Sequence, residues 1–92
     1  MSNQYGRKNC VQAVWEKASP IRGRDPDLHR KDPYGSIIYR HSYGKDTQQG
    51  WQVDHIKPQS KGGSDHLRNL QALQSSKNKS LGNSTNKKSR HN

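Results

Sequence analysis

The apolar residues of this chain gather in short clusters between long polar stretches, and each cluster carries a period of its own. Val11, Val14, Trp15 and Ala18 recur at i, i+3, i+4 and i+7, which is one face of an amphipathic helix over residues 9–18. Asn9 is placed to cap that helix. Ser19 and Pro20 end it, because the residue before a proline avoids the helical region. Residues 20–35 hold Pro20, Gly23, Pro26, Pro33 and Gly35 and read as loop, with room for one helical turn over residues 27–32. Residues 36–43 then read as a strand with Ile37, Tyr39 and Tyr43 on one face. A polar turn over residues 44–50 leads to a second strand, residues 51–56, returning antiparallel to the first. On it Trp51 and Val53 share one face, and Gln52 and Asp54 share the other.

Beyond a Pro-Gly-Ser loop at residues 58–64, a further apolar run (Leu70, Ala72, Leu73) predicts another strand. A short helix follows, with Ser75 or Ser76 as its cap and Gly82 as its end. The ends of the chain add no periodic pattern. Residues 1–8 read as a flexible N-terminus and residues 83–92 as a disordered basic tail, around one domain at 9–82.

Composition sharpens this picture in three ways. Only 25% of the 92 residues are hydrophobic and none is Phe, and the mean hydropathy is −1.42. A core is possible only because the apolar residues are clustered, and a bound metal would help so small a core. Seventeen Lys and Arg against seven Asp and Glu give a formal charge of +10, which points to a polyanionic partner. The single cysteine, Cys10, excludes an internal disulfide and a Cys-rich zinc site, so no structural zinc is expected. No run is apolar enough to span a membrane or to resemble a signal peptide, which makes a cytoplasmic, membrane-free protein the expectation.

The candidate chemistry lies in residues 51–82, WQVDHIKPQSKGGSDHLRNLQALQSSKNKSLG. Asp54-His55 ends the strand, and the loop holds Pro58 and Gly62-Gly63-Ser64-Asp65. Asn69-Leu70 opens the next strand, and Asn78 lies on the helix closed by Gly82. Fourteen residues separate His55 from Asn69, and nine separate Asn69 from Asn78. This ordered set resembles the HNH endonuclease family with its ββα-metal motif, in a His-Asn-Asn variant where Asn78 stands at a position many members fill with histidine. A weaker resemblance runs upstream through Arg30-Lys31-Asp32, Gly35, Arg40 and Tyr43-Gly44, similar to an extension in some bacterial and phage members.

The resemblance implies an α+β fold: a ββα-metal motif with an N-terminal helix, a small antiparallel sheet and a basic tail. It implies that His55 deprotonates the attacking water and that Asn69 pins the loop and orients the histidine. It further implies that Asp54 and Asn78 hold one metal ion at the scissile phosphate and the leaving 3′-oxygen, giving 5′-phosphate and 3′-hydroxyl products. Elementary chemistry is compatible with those roles. An imidazole of ordinary pKa, about 6.5, suits a general base at neutral pH. One carboxylate and one amide oxygen make a hard, oxygen-only set that favours Mg²⁺ or Mn²⁺ over zinc.

Neighbours on a regular strand point to opposite faces, so Asp54 and His55 converge only if the strand leaves the sheet near Pro58. Each residue also has a plain structural alternative: His55 bonded to a carbonyl, Asp54 paired with a lysine, Asn69 and Asn78 as turn and cap residues. Asp65-His66, a second Asp-His pair, stands too close to Asn69 to leave room for the loop, so Asp65 reads as a turn or cap residue and His66 as exposed. Lys57, Lys61, Lys77 and Lys79 border the motif as phosphate contacts, and Arg40 suits either a phosphate or a salt bridge. The function expected is metal-dependent DNA cleavage by a monomer or homodimer, on double-stranded in preference to single-stranded DNA. A non-catalytic nucleic-acid-binding module or a ribonucleoprotein component is the alternative.

Overall fold

The helical stripe buries as its period requires. In the computed structural model, which describes residues 8–81, α1 (Lys8–Lys17) and the residue after it bury Val11, Val14, Trp15 and Ala18. The flexible start and the tail expected at 83–92 lie outside the described residues, Lys8 excepted. α1 begins before Asn9, which sits inside the helix instead of capping it. The carbonyls at a helix end have no partner within the helix. Here Arg30 Nη1 donates to the carbonyls of Glu16 (3.1 Å) and Ala18 (3.0 Å). Lys17 Nζ reaches further along the chain, to the carbonyls of Leu67 and Leu70.

Residues 20–35 carry more structure than their prolines and glycines predict. β1 (Ser19–Pro20), β2 (His29–Lys31) and β3 (Ile37–Tyr39) form an antiparallel sheet in that order. From His29 onward β2 takes the place of the helical turn expected at 27–32. Asp32 supplies the reason. Its buried carboxylate accepts the backbone N–H groups of Tyr34 and Ser36 at 2.9 Å through Oδ1, and Gly35 turns the chain at φ +85°. The breakers therefore mark a hairpin turn. A hairpin with ladder bonds outcompetes one isolated helical turn, which orders three residues for a single bond. Asp32 Oδ2 also accepts the N–H of Gln74 at 2.9 Å, fastening the hairpin to the end of β5 (Leu70–Gln74).

The strand expected at 36–43 is shorter and has another partner. It ends at Tyr39, passes into a 3-10 turn at Arg40–Ser42, and pairs with β2 through His29↔Tyr39, Arg30↔Ile38 and Lys31↔Ile37. Ile38 is its fully buried residue, whereas Ile37 and Tyr39 are half-buried. β4 (Trp51–His55) meets that region in one parallel bridge, Tyr43 to Trp51. Its ladder is instead with β5, from Trp51↔Gln74 to His55↔Leu70.

α2 (Ser75–Leu81) follows β5 directly, so β4, β5 and α2 make a ββα unit. The helix cap is neither Ser75 nor Ser76. Gln74 Oε1 accepts the N–H of Lys77 at 3.1 Å, while the buried Ser75 hydroxyl donates to Lys45 O at 2.8 Å. A buried hydroxyl needs a partner where it is buried, and the 44–50 turn supplies one. Gly50 permits that approach, because a Cβ there would lie 1.9 Å from the Lys45 carbonyl oxygen.

The core joins α1 to one face of the β4–β5 hairpin. Trp15 and Trp51 meet with ring centroids 5.2 Å apart, among Val11, Val14, Ala18, Ile38, Leu70 and Ala72. Both indole N–H groups are satisfied, by Pro26 O (3.0 Å) and Tyr39 O (2.9 Å). The register places Gln52, Asp54, Gln71 and Leu73 on the hairpin's other face, toward α2. The architecture is α+β. No helix among the described residues is long and apolar enough to cross a membrane.

Candidate active site

The loop between β4 and β5 is closed by one side chain. Asn69 Oδ1 accepts the N–H of Lys57 (2.9 Å), and its Nδ2 donates to the carbonyls of Lys57 (3.1 Å) and Ser64 (2.7 Å). The backbone adds Ile56 N–H to Asn69 O at 2.8 Å, so pairing runs one step past His55 before the chain departs at Lys57 and Pro58. Two glycines make the return possible. Gly62 has φ +89°, and a Cβ on Gly63 would stand 1.7 Å from the Lys57 carbonyl oxygen. The sequence order Pro58, Gly62-Gly63, Asn69 is thus a tight loop tied to its own base.

Strand alternation separates the two members of the Asp-His pair, since the strand has not left the sheet at His55. Asp54 is 4% exposed on the α2 side, where its Oδ2 accepts from Gln71 Nε2 at 3.2 Å. Asn78 comes to the same side: its Nδ2 donates to Gln52 Oε1 at 2.8 Å, and Gln52 shares a strand face with Asp54. With the nitrogen committed to Gln52, the amide oxygen is the atom that Asn78 can offer a cation. His55 faces the other way, toward the loop. Its side chain is 11% exposed, and Nε2 lies 2.8 Å from Oδ1 of Asp65, which is 47% exposed. The same oxygen accepts Gln59 Nε2 at 2.9 Å.

Asp65 is therefore more than a turn residue, since it gives the histidine a carboxylate partner. Sequence spacing alone does not show this, because Asp65 reaches His55 only after Asn69 has folded the loop back. Gln52 was legible in principle: it stands two residues before Asp54 on the same face of the strand.

Residues 40–84 match the family model described as HNH endonuclease. The chain carries an HNH domain. Neither a curated protein nor a solved structure matches it. An HNH domain implies nuclease-type activity on nucleic acid, generally with a divalent metal, and the matched stretch contains β4, the clamped loop, β5 and all of α2.

The donor chemistry of the HNH domain fits a hard divalent ion. Asp54 and Asn78 put one carboxylate and one amide oxygen on one face of the hairpin, an oxygen-only set of the kind that hard divalent ions take. Among the described residues no group of three or more His, Cys, Asp or Glu is arranged to hold a metal. Of the basic candidates, Lys57 and Lys61 project from the loop into solvent. Lys77 folds back over the Tyr34 ring (5.3 Å) toward Ser36 Oγ (3.4 Å), and Arg40 is held through Nε by Gln12 Oε1 of α1 at 3.0 Å. The Lys79 side chain lies outside the described residues.

Proposed function

We propose that this HNH domain hydrolyses DNA phosphodiester bonds, with His55 as general base and with Asp54 and Asn78 as the ligands of one Mg²⁺ or Mn²⁺ ion. The observation that carries the reading is the clamped strand end. Asn69 fixes the loop beside His55, while Asp54 lies on the opposite face of that strand and Asn78 approaches the same face from α2. In an in-line displacement the attacking and leaving oxygens lie on opposite sides of the phosphorus. A base and a metal ligand that project from opposite faces of the strand, on the neighbouring residues His55 and Asp54 whose Cα atoms are about 3.8 Å apart, suit a phosphate docked across the strand end.

His55 takes a proton from water as the water oxygen bonds to phosphorus. The bond from phosphorus to the 3′-oxygen breaks, and that oxygen leaves as a hydroxyl with a proton from solvent. A divalent cation supplies charge stabilisation at the phosphate and the leaving oxygen. Lys57 and Lys61 are placed to neutralise flanking phosphates, and the +10 charge supports attraction to a polyanion over the whole chain. Double-stranded DNA, in preference to single-stranded, is the proposed substrate.

Plasmid nicking with and without chelator, wild type beside His55→Ala, tests the reading. Nicked product should appear only with metal and only in wild type. Retention on DNA with no product under any divalent metal would leave a binding module in place of an enzyme.

A further inference from the structure

The contact between His55 and Asp65 belongs to none of the roles assigned above, and it has the geometry of an orienting pair. A carboxylate accepts hydrogen bonds and a neutral imidazole carries one N–H, so an Nε2···Oδ1 distance of 2.8 Å requires the proton on Nε2. The carboxylate is itself held. Gln59 Nε2 donates to the same oxygen, and Asn69 Nδ2 grips the carbonyl of Ser64, the residue immediately before Asp65. The loop closure made by Asn69 thus extends, through the Ser64–Asp65 backbone and a carboxylate, to the imidazole ring. The chain's two Asp-His dipeptides are joined crosswise, the histidine of the first with the aspartate of the second.

We propose that Asp65 is a positioning residue for His55, fixing the ring's orientation and its Nε2–H tautomer so that the proton from water is taken at Nδ1. The proposal rests on the nuclease reading. It assigns Asp65 the further task of standing beside the imidazolium that forms when Nδ1 accepts that proton. Asn69 then acts on His55 at one remove, and Asp65 is the group in between.

The test joins a spectroscopic readout to a kinetic one, on the full chain. Nitrogen-15 spectra of wild type should show neutral His55 as the Nε2–H tautomer. Asp65→Ala should shift it toward a mixture of the two tautomers and lower kcat for plasmid nicking by about 10- to 100-fold, the usual loss for an orienting partner. KM for the plasmid should stay nearly unchanged. Asp65→Asn keeps an acceptor oxygen and should restore the tautomer and part of kcat. Gln59→Ala, which removes a bond to the same oxygen but not the imidazole's, should leave the tautomer as in wild type.

A wild-type His55 protonated at Nδ1, or an Asp65→Ala protein with wild-type tautomer and kcat, overturns the proposal while leaving His55 as base. If Asp65→Ala does not fold, the wild-type tautomer and the Asp65→Asn protein decide in the same way. Absence of cleavage by wild type, with the Nε2–H tautomer intact, overturns the nuclease reading itself and the catalytic meaning of the contact with it.

Discussion

Asn69 carries no charge and touches no proposed ligand, yet it makes three hydrogen bonds to the backbone of the loop it closes. Two of those bonds need a donor, which an amide has and a carboxylate lacks. Asn69→Asp should therefore fail as Asn69→Ala does, each losing about 1–3 kcal/mol of stability and most of the cleavage. Urea unfolding beside plasmid nicking checks both effects, and a fully active Asp variant would show that the amide donors are dispensable. For His55 the sign of the pH effect follows from its role. Only neutral imidazole accepts a proton, so cleavage at constant metal should rise with pH and level off. An activity that does not change with pH would remove His55 as base. The names of these residues were legible in the sequence from their order and spacing. The partners Asp65 and Gln59 were not, because both reach the site through contacts that spacing does not encode.

At the scale of elements, two turns decide where the strands go. The β4–β5 loop needs Gly62 for its left-handed φ and Gly63 for the close approach to Lys57 O. An alanine at a left-handed position costs about 1–2 kcal/mol. At Gly63 the added atom would overlap backbone, which must move, so Gly63→Ala should be the more damaging of the two. Thermal melts of both variants, with cleavage as a second readout, give the ranking, and the reverse order would contradict the loop geometry. The β2–β3 hairpin depends on Asp32, whose carboxylate takes three backbone N–H groups from residues as distant as Gln74. Removing it in Asp32→Ala orphans buried donors, and a loss of roughly 3 kcal/mol or more is expected. Helix α1 and the strands β4 and β5 were readable from periodicity. The hairpin was hidden because its prolines and glycines signal a turn without saying whether paired strands flank it.

For the whole molecule, the HNH stretch does not build the core alone. Its matched residues begin at position 40, but Trp51 packs on Trp15 of α1, and Arg30 and Lys17 fasten that helix in place. Trp15→Ala should cost about 3–5 kcal/mol, enough to unfold many domains of this size, and circular dichroism would register the loss. The surface predicts a different property. If the basic residues neutralise six to ten phosphates, affinity for DNA should fall by about 10³- to 10⁵-fold between roughly 50 and 200 mM salt. A filter-binding series that shows no salt dependence would separate the charge from the function. The sequence by itself determined the amphipathic helix, the apolar strand pair, the polyanion-seeking charge and the ordered Asp-His, Asn, Asn set. Periodicity, composition and spacing are local or additive quantities. Only the tertiary structure decided that β3 pairs with β2 instead of β4, that Gln74 caps α2, and that Asp65 meets His55. Each of these is a competition among partners distant along the chain, settled by which backbone and side-chain groups become buried together.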